Sequence, residues 1–300
     1  MSQYHTPVLL EESIGLLAIK PQGTYADLTF GGGGHSRRIL QDLDTEGHLY
    51  SFDQDRDTRQ NCPDDERFTY VESNFRFLRG ALRLRGVREV DGILADLGVS
   101  SHHFDAVERG FSFRGDAPLD MRMNQRGSLT AARIVMEYSA EELTRILGDW
   151  GEVETPWKVA NCIVKARAKQ AIETTAQFVE AIAPCTPKKD PSKFLTKVFQ
   201  ALRIEVNGEM EALKMALEQS LKVLKPGGRL VVISYHSLED RLVKNFMRSG
   251  NFRGEVEKDF FGRQNVPFEL VTRKAVAPSA EELERNPRSR SARLRAATKL

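Results

Sequence analysis

Four adjacent glycines, Gly31 to Gly34, are the residues with the clearest chemical use in this chain. They interrupt an apolar run that begins at Thr24 and precede an amphipathic segment that predicts a helix from Ser36. Glycine has no Cβ, so backbone N–H groups in such a turn can approach a ligand closely and adopt positive φ angles. A helix N-terminus adds free N–H groups and a partial positive charge. The pattern predicts a loop that binds a nucleotide-like cofactor and leaves its identity open.

An acidic residue ends the next apolar run. Asp53 follows the glycine loop at the end of the second strand candidate, where a carboxylate can accept hydrogen bonds from ribose hydroxyls. NAD-dependent dehydrogenases and S-adenosylmethionine methyltransferases share this device. The dehydrogenase fingerprint has glycine at the first, third and sixth loop positions; Gly31 and Gly33 fit, but the sixth position is Ser36. A glycine turn beside a solvated acidic residue is the alternative that involves no ligand.

Two later segments favour a methyltransferase. A helix, the Lys-Pro-Gly-Gly turn 225–228 and the apolar run 229–234 form the usual late element of a methyltransferase sheet, which dehydrogenases rarely have. Asp96 ends another strand candidate, and ligands bind at the carboxyl ends of strands in open α/β sheets. A turn at this point could accept a hydrogen bond from the exocyclic amine of a base. From its neighbours alone, Asp96 could equally be a capping residue.

The elements that position these residues alternate between strand and helix in the first third of the chain. Such alternation predicts a parallel sheet covered by helices. Nearly every segment over 130–205 then predicts helix, and Ser139 with Glu142 forms a capping-box pattern. The α/β pattern returns with a helix over 210–223 and a late edge strand over 268–272. The sequence therefore predicts an α/β domain interrupted by a helical insertion.

Composition is that of a globular protein with two structural units. The 300 residues are 40% hydrophobic and 29% charged, and no run approaches the length of a membrane span. The N-terminus lacks the features of a secretory signal. Cys62, Cys162 and Cys185 are odd in number and widely spaced, which argues against a disulfide framework or a structural zinc and indicates a reducing cytosol. The formal net charge is +2, but basic residues cluster over 76–88, 188–197 and 285–299, which fits contact with phosphates.

Taken together, these segments make the chain resemble one family, the bacterial small-subunit ribosomal RNA cytosine-N4 methyltransferases called MraW or RsmH. The match runs from end to end in order. The segments that carry it are 4–10, 27–36, 53–55, 96–101, 109–113, 118–123, 234–241 and 286–295.

The resemblance implies a Rossmann-like class I methyltransferase sheet with an inserted all-helical domain. Its implied parts are an S-adenosylmethionine-binding domain over 1–105 and 207–300, ending in a basic C-terminal tail, and a substrate-recognition insertion over 106–206. It also implies a set of cofactor-binding residues. Separately, no residues in the sequence have metal-ligand spacing, so no metal site built from the protein alone is expected. Gly33, Gly34 and His35 would line the cofactor, Asp53 would bind the ribose, Phe75 would lie near the adenine, and Asp96 would contact the methionine portion.

One family position departs from the pattern. Where the family usually has glutamine, this chain has His103, whose imidazole can also donate or accept a hydrogen bond. Asp96 is the expected catalytic acceptor for the cytosine amine, with His236 and Asp120 as second choices.

The implied reaction is methylation of the exocyclic N4 amine of a cytidine in the decoding centre of 16S ribosomal RNA. The implied partner is the small ribosomal subunit or a late assembly intermediate in the cytoplasm, with no membrane involved. Oligomeric state stays open, with a homodimer among the options. Two alternatives remain: a NAD-dependent oxidoreductase, which the segment 225–234 disfavours, and a non-catalytic RNA-binding assembly factor with a methyltransferase fold.

Overall fold

The computed structural model describes residues 7–98 and 107–300 and divides the chain into two compact units. One unit comprises Met1–Gly98 and Met210–Leu300, and the other comprises Val99–Glu209. The sequence places the corresponding limits at 105 and 206, and the roles assigned to the parts stay predictions. His103 lies outside the described residues, as does the segment 4–6.

The first unit is built on one seven-stranded sheet. Its strands are β1 (Thr24–Asp27), β2 (His48–Asp53), β3 (Phe68–Glu72), β4 (Val90–Asp96), β5 (Leu224–Ser234), β6 (Phe268–Leu270) and β7 (Arg293–Lys299). The order across the sheet is β3-β2-β1-β4-β5-β7-β6, and β1 to β5 are parallel. This arrangement confirms the predicted Rossmann-like α/β sheet, with β6 as an edge strand.

The C-terminal segment differs from the expected basic tail. Residues 293–299 form β7, which lies between β5 and β6 and is antiparallel to both. Leu294 and Ala296 are completely buried, and the side chains that alternate with them include Arg293 and Arg295. The alternation of apolar and basic residues has the period of two that a strand needs. Truncation of this segment would therefore remove a strand from the sheet as well as positive charge.

Helices cover both faces of the sheet, as apolar residues on both sides of its strands require. In β5, Val231 and Ile233 pack with α1 (Leu10–Leu17) and α2 (Gly34–Asp42). Leu230 and Val232 point to the opposite face and pack in the core with the remaining helices. Those helices are α3 (Leu78–Arg83), α9 (Glu209–Val223) and α10 (Ser237–Ser249), and the short α11 (Ala280–Arg285) precedes β7.

The turn at 225–228 is part of β5 rather than separate from it. Leu224 already pairs with Val90, and pairing resumes at Arg229 with Gly92. The intervening residues form an irregularity in the ladder between the two strands.

The second unit is a helical bundle, as predicted for the insertion. Its helices are α4 (Ala131–Glu137), α5 (Ala140–Asp149), α6 (Pro156–Arg167), α7 (Thr175–Ile182) and α8 (Pro191–Asn207). The predicted capping box is confirmed, because Ser139 and Glu142 exchange both hydrogen bonds at the start of α5. Fully buried side chains such as Ile146, Phe178 and Leu202 form its core. Among the described helices of the chain, none is long and apolar enough to cross a membrane.

The cysteine interpretation is wrong on one point. Cys162 in α6 and Cys185 in the short turn after α7 form a disulfide, whereas Cys62 is free. Within the insertion, α6 packs against α7 and against this turn. That proximity depends on tertiary packing, so the spacing of the cysteines in the sequence did not reveal it.

Candidate functional site

Three aspartates lie at the carboxyl ends of neighbouring parallel strands. Asp27 ends β1, Asp53 ends β2 and Asp96 ends β4. β1 pairs with β2 on one side and with β4 on the other, although β4 follows much later in the chain. The sheet order reverses at β1, and ligands of open α/β sheets bind in the crevice that such a reversal creates. The candidate site is this edge of the sheet.

The glycine loop crosses this edge between β1 and α2. The helix begins at Gly34, two residues earlier than the sequence predicts, and Gly33 is its N-cap with φ 75°. A side chain at Gly33 would therefore be strained. A Cβ on Gly34 would lie 2.1 Å from Pro7 Cγ, so only glycine fits there. The first N–H groups of α2 are thus brought to the carboxyl edge of the sheet.

Asp53 holds the loop in place. Its Oδ2 accepts a hydrogen bond from the Gly31 N–H at 2.9 Å, and its Oδ1 accepts from the Asp55 N–H at 2.8 Å. Each carboxylate oxygen can accept a second hydrogen bond. Asp53 is only partly buried, so the same carboxylate can order the loop and still accept from a ligand hydroxyl.

Asp27 was not singled out by sequence reasoning, yet it is the most deeply buried of the three. Its carboxylate accepts from Ser36 Oγ at 2.6 Å and from the Thr29 N–H at 3.0 Å. Burial raises its pKa, although these hydrogen bonds and the nearby His35 oppose the increase. Its position at the end of a strand, like that of Asp53 and Asp96, is the signal that could have revealed it.

Asp96 combines burial with an unused acceptor. Its side chain is 21% exposed, and its buried Oδ1 accepts no hydrogen bond from the described residues. The Tyr235 hydroxyl and the Gly98 N–H donate to the carboxylate. Burial raises the pKa of Asp96, and Asp27 raises it further, while His35 and the two donors oppose the increase. The result is a carboxylate that takes up a proton more readily than an exposed one.

Tyr235 is the second functional candidate that sequence reasoning passed over. It directly follows β5 and its ring packs so closely on Gly98 that a Cβ there would lie 2.7 Å from it. Burial, and then Asp96, raise the pKa of its hydroxyl well above the usual value. The hydroxyl therefore stays protonated and remains a donor to Asp96.

His35 lies beneath the site rather than open to it, because it is only 6% exposed. Its Nε2–H donates to the Val8 carbonyl at 3.1 Å, since a carbonyl can only accept. Its Nδ1 lies 3.9 Å from Asp96 Oδ2. The structure thus places the His35 side chain beside Asp96, while the His35 N–H lies in the first turn of α2.

The remaining predicted residues are placed differently. Phe75 begins the short turn after β3 and packs beside Leu28 and Ala95, near the ends of β1 and β4. His236 caps α10: its Nδ1 accepts from the Glu239 N–H at 3.4 Å, and its Nε2 lies 3.2 Å from Glu239 Oε1.

Asp120 belongs to the other unit. It pairs with Arg122, with 2.6 Å between Oδ2 and Nη2, and this pairing outweighs the effect of burial and lowers its pKa. A carboxylate with a lowered pKa is a weak proton acceptor. The structure therefore favours Asp96 over both second choices.

The charges at this edge discriminate between the two cofactor classes. Three carboxylates lie beside the glycine loop, and among the described residues no lysine or arginine makes an ion pair with Asp27 or Asp96. A pyrophosphate would bring negative charge to these carboxylates. S-adenosylmethionine has no phosphate and carries a sulfonium and an ammonium group, so the three carboxylates fit it. The negative charge of the Asp96 carboxylate at the end of β4 adds an attraction for such cations.

Comparison with known proteins agrees with this assignment. Residues 2–300 match the MraW methylase family. A relative from Parabacteroides distasonis, named Ribosomal RNA small subunit methyltransferase H, is 59% identical over 300 residues, which is 100% of this chain and 98% of the relative. The protein of the same name from Flavobacterium johnsoniae is 52% identical over 298 residues, or 99% and 98% of the two chains.

A solved structure, an rRNA methylase from Streptococcus thermophilus, is 12% identical with a TM-score of 0.43 and covers 98% of this chain and 97% of its own. The family match extends over almost the whole chain. The sheet is that of a class I methyltransferase, and the cofactor is S-adenosylmethionine. The chain therefore belongs to the MraW methylase family.

Proposed function

We propose that this protein transfers a methyl group from S-adenosylmethionine to the exocyclic N4 amine of a cytidine in the decoding centre of 16S ribosomal RNA. The names of relatives that are 52–59% identical over nearly the full chain support the small-subunit RNA as substrate. The single observation that carries the chemistry is Asp96, a carboxylate at the end of β4 with a buried, unpartnered oxygen and a raised pKa.

Asp96 has the properties that methylation of an amine requires. When bound, S-adenosylmethionine supplies an electrophilic methyl group for direct displacement. The cytosine N4 amine is a poor nucleophile because its lone pair is delocalised into the ring. Asp96 Oδ1 accepts a hydrogen bond from that amine, orients its lone pair and takes the released proton. The raised pKa strengthens the carboxylate as a proton acceptor.

Two neighbours hold Asp96 in position. The Tyr235 hydroxyl and the Gly98 N–H donate to its carboxylate and leave Oδ1 free for the substrate. The Asp96 N–H donates to Thr29 Oγ1 at 2.7 Å, which ties the end of β4 to the loop after β1. The acceptor is thus fixed before the substrate arrives, which lowers the cost of orienting it during reaction.

Cofactor binding is assigned to the other predicted residues. Asp53 accepts from the ribose hydroxyls, the backbone of Gly33, Gly34 and His35 lies against the cofactor, and Phe75 packs beside the adenine. Because His103 lies outside the described residues, its proposed hydrogen bond to the cofactor rests on the sequence alone.

The target base must leave its stack to reach Asp96, since an amine inside a helix cannot be aligned with the methyl group. The proposed substrate is the small subunit or a late assembly intermediate, with reaction in the cytoplasm. The helical insertion contributes to recognition of the RNA.

The test combines the purified protein, labelled S-adenosylmethionine and small subunits that lack the modification, followed by nucleoside analysis. Labelled N4-methylcytidine at one decoding-centre position is the expected product. Label on another atom or base would refute the N4 assignment. Tight binding to the subunits without any transfer would favour the alternative, a non-catalytic assembly factor.

A further inference from the structure

A basic hollow lies outside the candidate active site, between α10 and the antiparallel edge of the sheet. It has a volume of about 170 Å³ and no acidic side chain lines it. Its lining residues are Lys244, Met247, Arg248, Leu270, Thr272, Arg273 and Arg295. Four of the seven are cations, which no role assigned above explains.

Side-chain hydrogen bonds hold the floor of the hollow. Arg295 in β7 forms a two-pronged ion pair with Asp240 of α10, with bonds of 2.7 and 3.0 Å, and its side chain is 13% exposed. Arg248 donates to the Gly254 carbonyl, which anchors the loop after α10. Thr272 Oγ1 accepts from the Ala296 N–H at 2.9 Å. These bonds fix the shape of the hollow without closing it.

The remaining positive charge at the rim is not neutralised. Lys244 and Arg273 are exposed, and neither makes an ion pair with any described residue. Free cations converging on a concave surface attract an anion, and a guanidinium matches the geometry of a phosphate oxygen pair. The hollow therefore has the chemistry of a phosphate-binding site.

Its distance from the active edge suits an extended nucleic-acid substrate. α10 begins just after the carboxyl end of β5, and Lys244 and Arg248 lie about 10 to 16 Å further along the helix at 1.5 Å per residue. That span corresponds to a few nucleotides of single-stranded RNA. We propose that this hollow binds a backbone phosphate of the RNA that flanks the target nucleotide. The inference rests on RNA being the substrate, as proposed above.

The test compares two double variants with the same loss of charge. Lys244→Gln/Arg273→Gln changes the rim of the hollow. Lys222→Gln/Arg229→Gln is the control, because neither residue lines the hollow and both lie near the amino end of β5. Thermal unfolding and S-adenosylmethionine affinity should match wild type in both variants.

Binding to protein-free small-subunit RNA is measured over a range of salt concentrations. The rim variant should bind roughly tenfold more weakly, and the slope of log affinity against log salt should fall by about 1.4, because two cationic contacts to single-stranded RNA are lost at about 0.7 each. In methyl transfer, KM for unmodified small subunits should rise while kcat stays unchanged. The control should match wild type in each measurement.

Several results would overturn the proposal. One is an equal salt slope in the rim variant and the control. Another is a rim variant that binds assembled subunits more weakly but binds protein-free RNA as wild type does, which would indicate a protein partner. A third is a rim variant that loses binding of inorganic phosphate but keeps its affinity for RNA, which would indicate a free anion as the ligand. If wild type transfers no methyl group but the rim variant still loses RNA affinity, the proposed reaction fails and the RNA site stands.

Discussion

Buried carboxylates at the two edges of the sheet have pKa values that are shifted in opposite directions. At the amino edge, Asp91 accepts from Lys225 Nζ at 2.7 Å and from the Thr24 N–H at 3.0 Å, and Lys20 Nζ lies 3.8 Å away. Burial alone would raise the pKa of Asp91, but Lys225 and the other partners outweigh it and lower the pKa. At the carboxyl edge, burial dominates and raises the pKa of Asp27 and Asp96.

The difference separates a residue that stabilises the fold from residues kept for a ligand. Asp91 is held in its charged form by partners within the protein, so it contributes to stability. Asp96 is buried with an acceptor oxygen that the described protein does not use, and this arrangement costs stability. Such a cost is typical of functional sites, where perturbed pKa values concentrate.

The largest effect is expected at Asp96. Asp96→Asn keeps the size of the side chain but removes the charge and the proton acceptor, so kcat should fall by roughly 10²- to 10⁴-fold. Methyl transfer to unmodified small subunits under saturating conditions measures it. The variant should be at least as heat-stable as wild type. A normal kcat in Asp96→Asn would show that Asp96 has no catalytic role, and the functional difference between the two edges would then be wrong.

A smaller effect on binding is expected at Asp53. Asp53→Asn weakens acceptance from ribose hydroxyls, so S-adenosylmethionine affinity should fall roughly 10- to 100-fold, the equivalent of one charge-assisted hydrogen bond. Calorimetric titration measures the dissociation constant. Asp91→Asn is the matched control and should bind the cofactor as wild type does. Equal affinities in all three proteins would show that Asp53 only orders the glycine loop.

Stability, not activity, should change at the amino edge. Asp91→Asn leaves Lys225 without its partner, so the free energy of unfolding should fall by about 1 kcal/mol while kcat stays unchanged. Urea unfolding at neutral pH measures the free energy of unfolding, and the methyl-transfer assay measures kcat. A loss of activity without a loss of stability would reverse the roles assigned to the two edges.

The smallest effect is a pH dependence of opposite sign at the two edges. The lowered pKa of Asp91 stabilises the fold above the unfolded value of about 3.9, and this contribution disappears as pH falls through the folded pKa. The raised pKa of Asp96 acts in reverse: its contribution is present at acid pH and is lost as pH rises through the folded pKa. The stability deficit of Asp91→Asn should therefore shrink on acidification.

Under the same logic, Asp96→Asn should gain in stability relative to wild type as pH rises from about 4 to 7. Unfolding temperatures of both variants and wild type across this range measure the two trends. Trends of the same sign at both edges would contradict the comparison.

Local patterns in the sequence determined the type and order of most elements. Apolar runs, the glycine loop and the return of strand patterning after residue 210 predicted the sheet and the helical insertion, because period and turn chemistry are local properties. The ends of those runs also indicated Asp53 and Asp96. β7 was missed because its arginines resembled a solvated basic tail, although Leu294 and Ala296 carry the strand period.

Tertiary structure alone decided which partners each residue meets. Tyr235 reaches Asp96 because β5 packs beside β4, His35 lies beneath the same carboxylate, and Cys162 pairs with Cys185 through packing of the insertion. The sequence determined that carboxylates end the strands; burial and long-range neighbours determined that Lys225 and Lys20 face Asp91 while Asp96 keeps an unpartnered oxygen. The pKa values of these carboxylates depend on their burial and on the distance to neighbouring charges. Both are fixed only when segments that are far apart in the chain pack together.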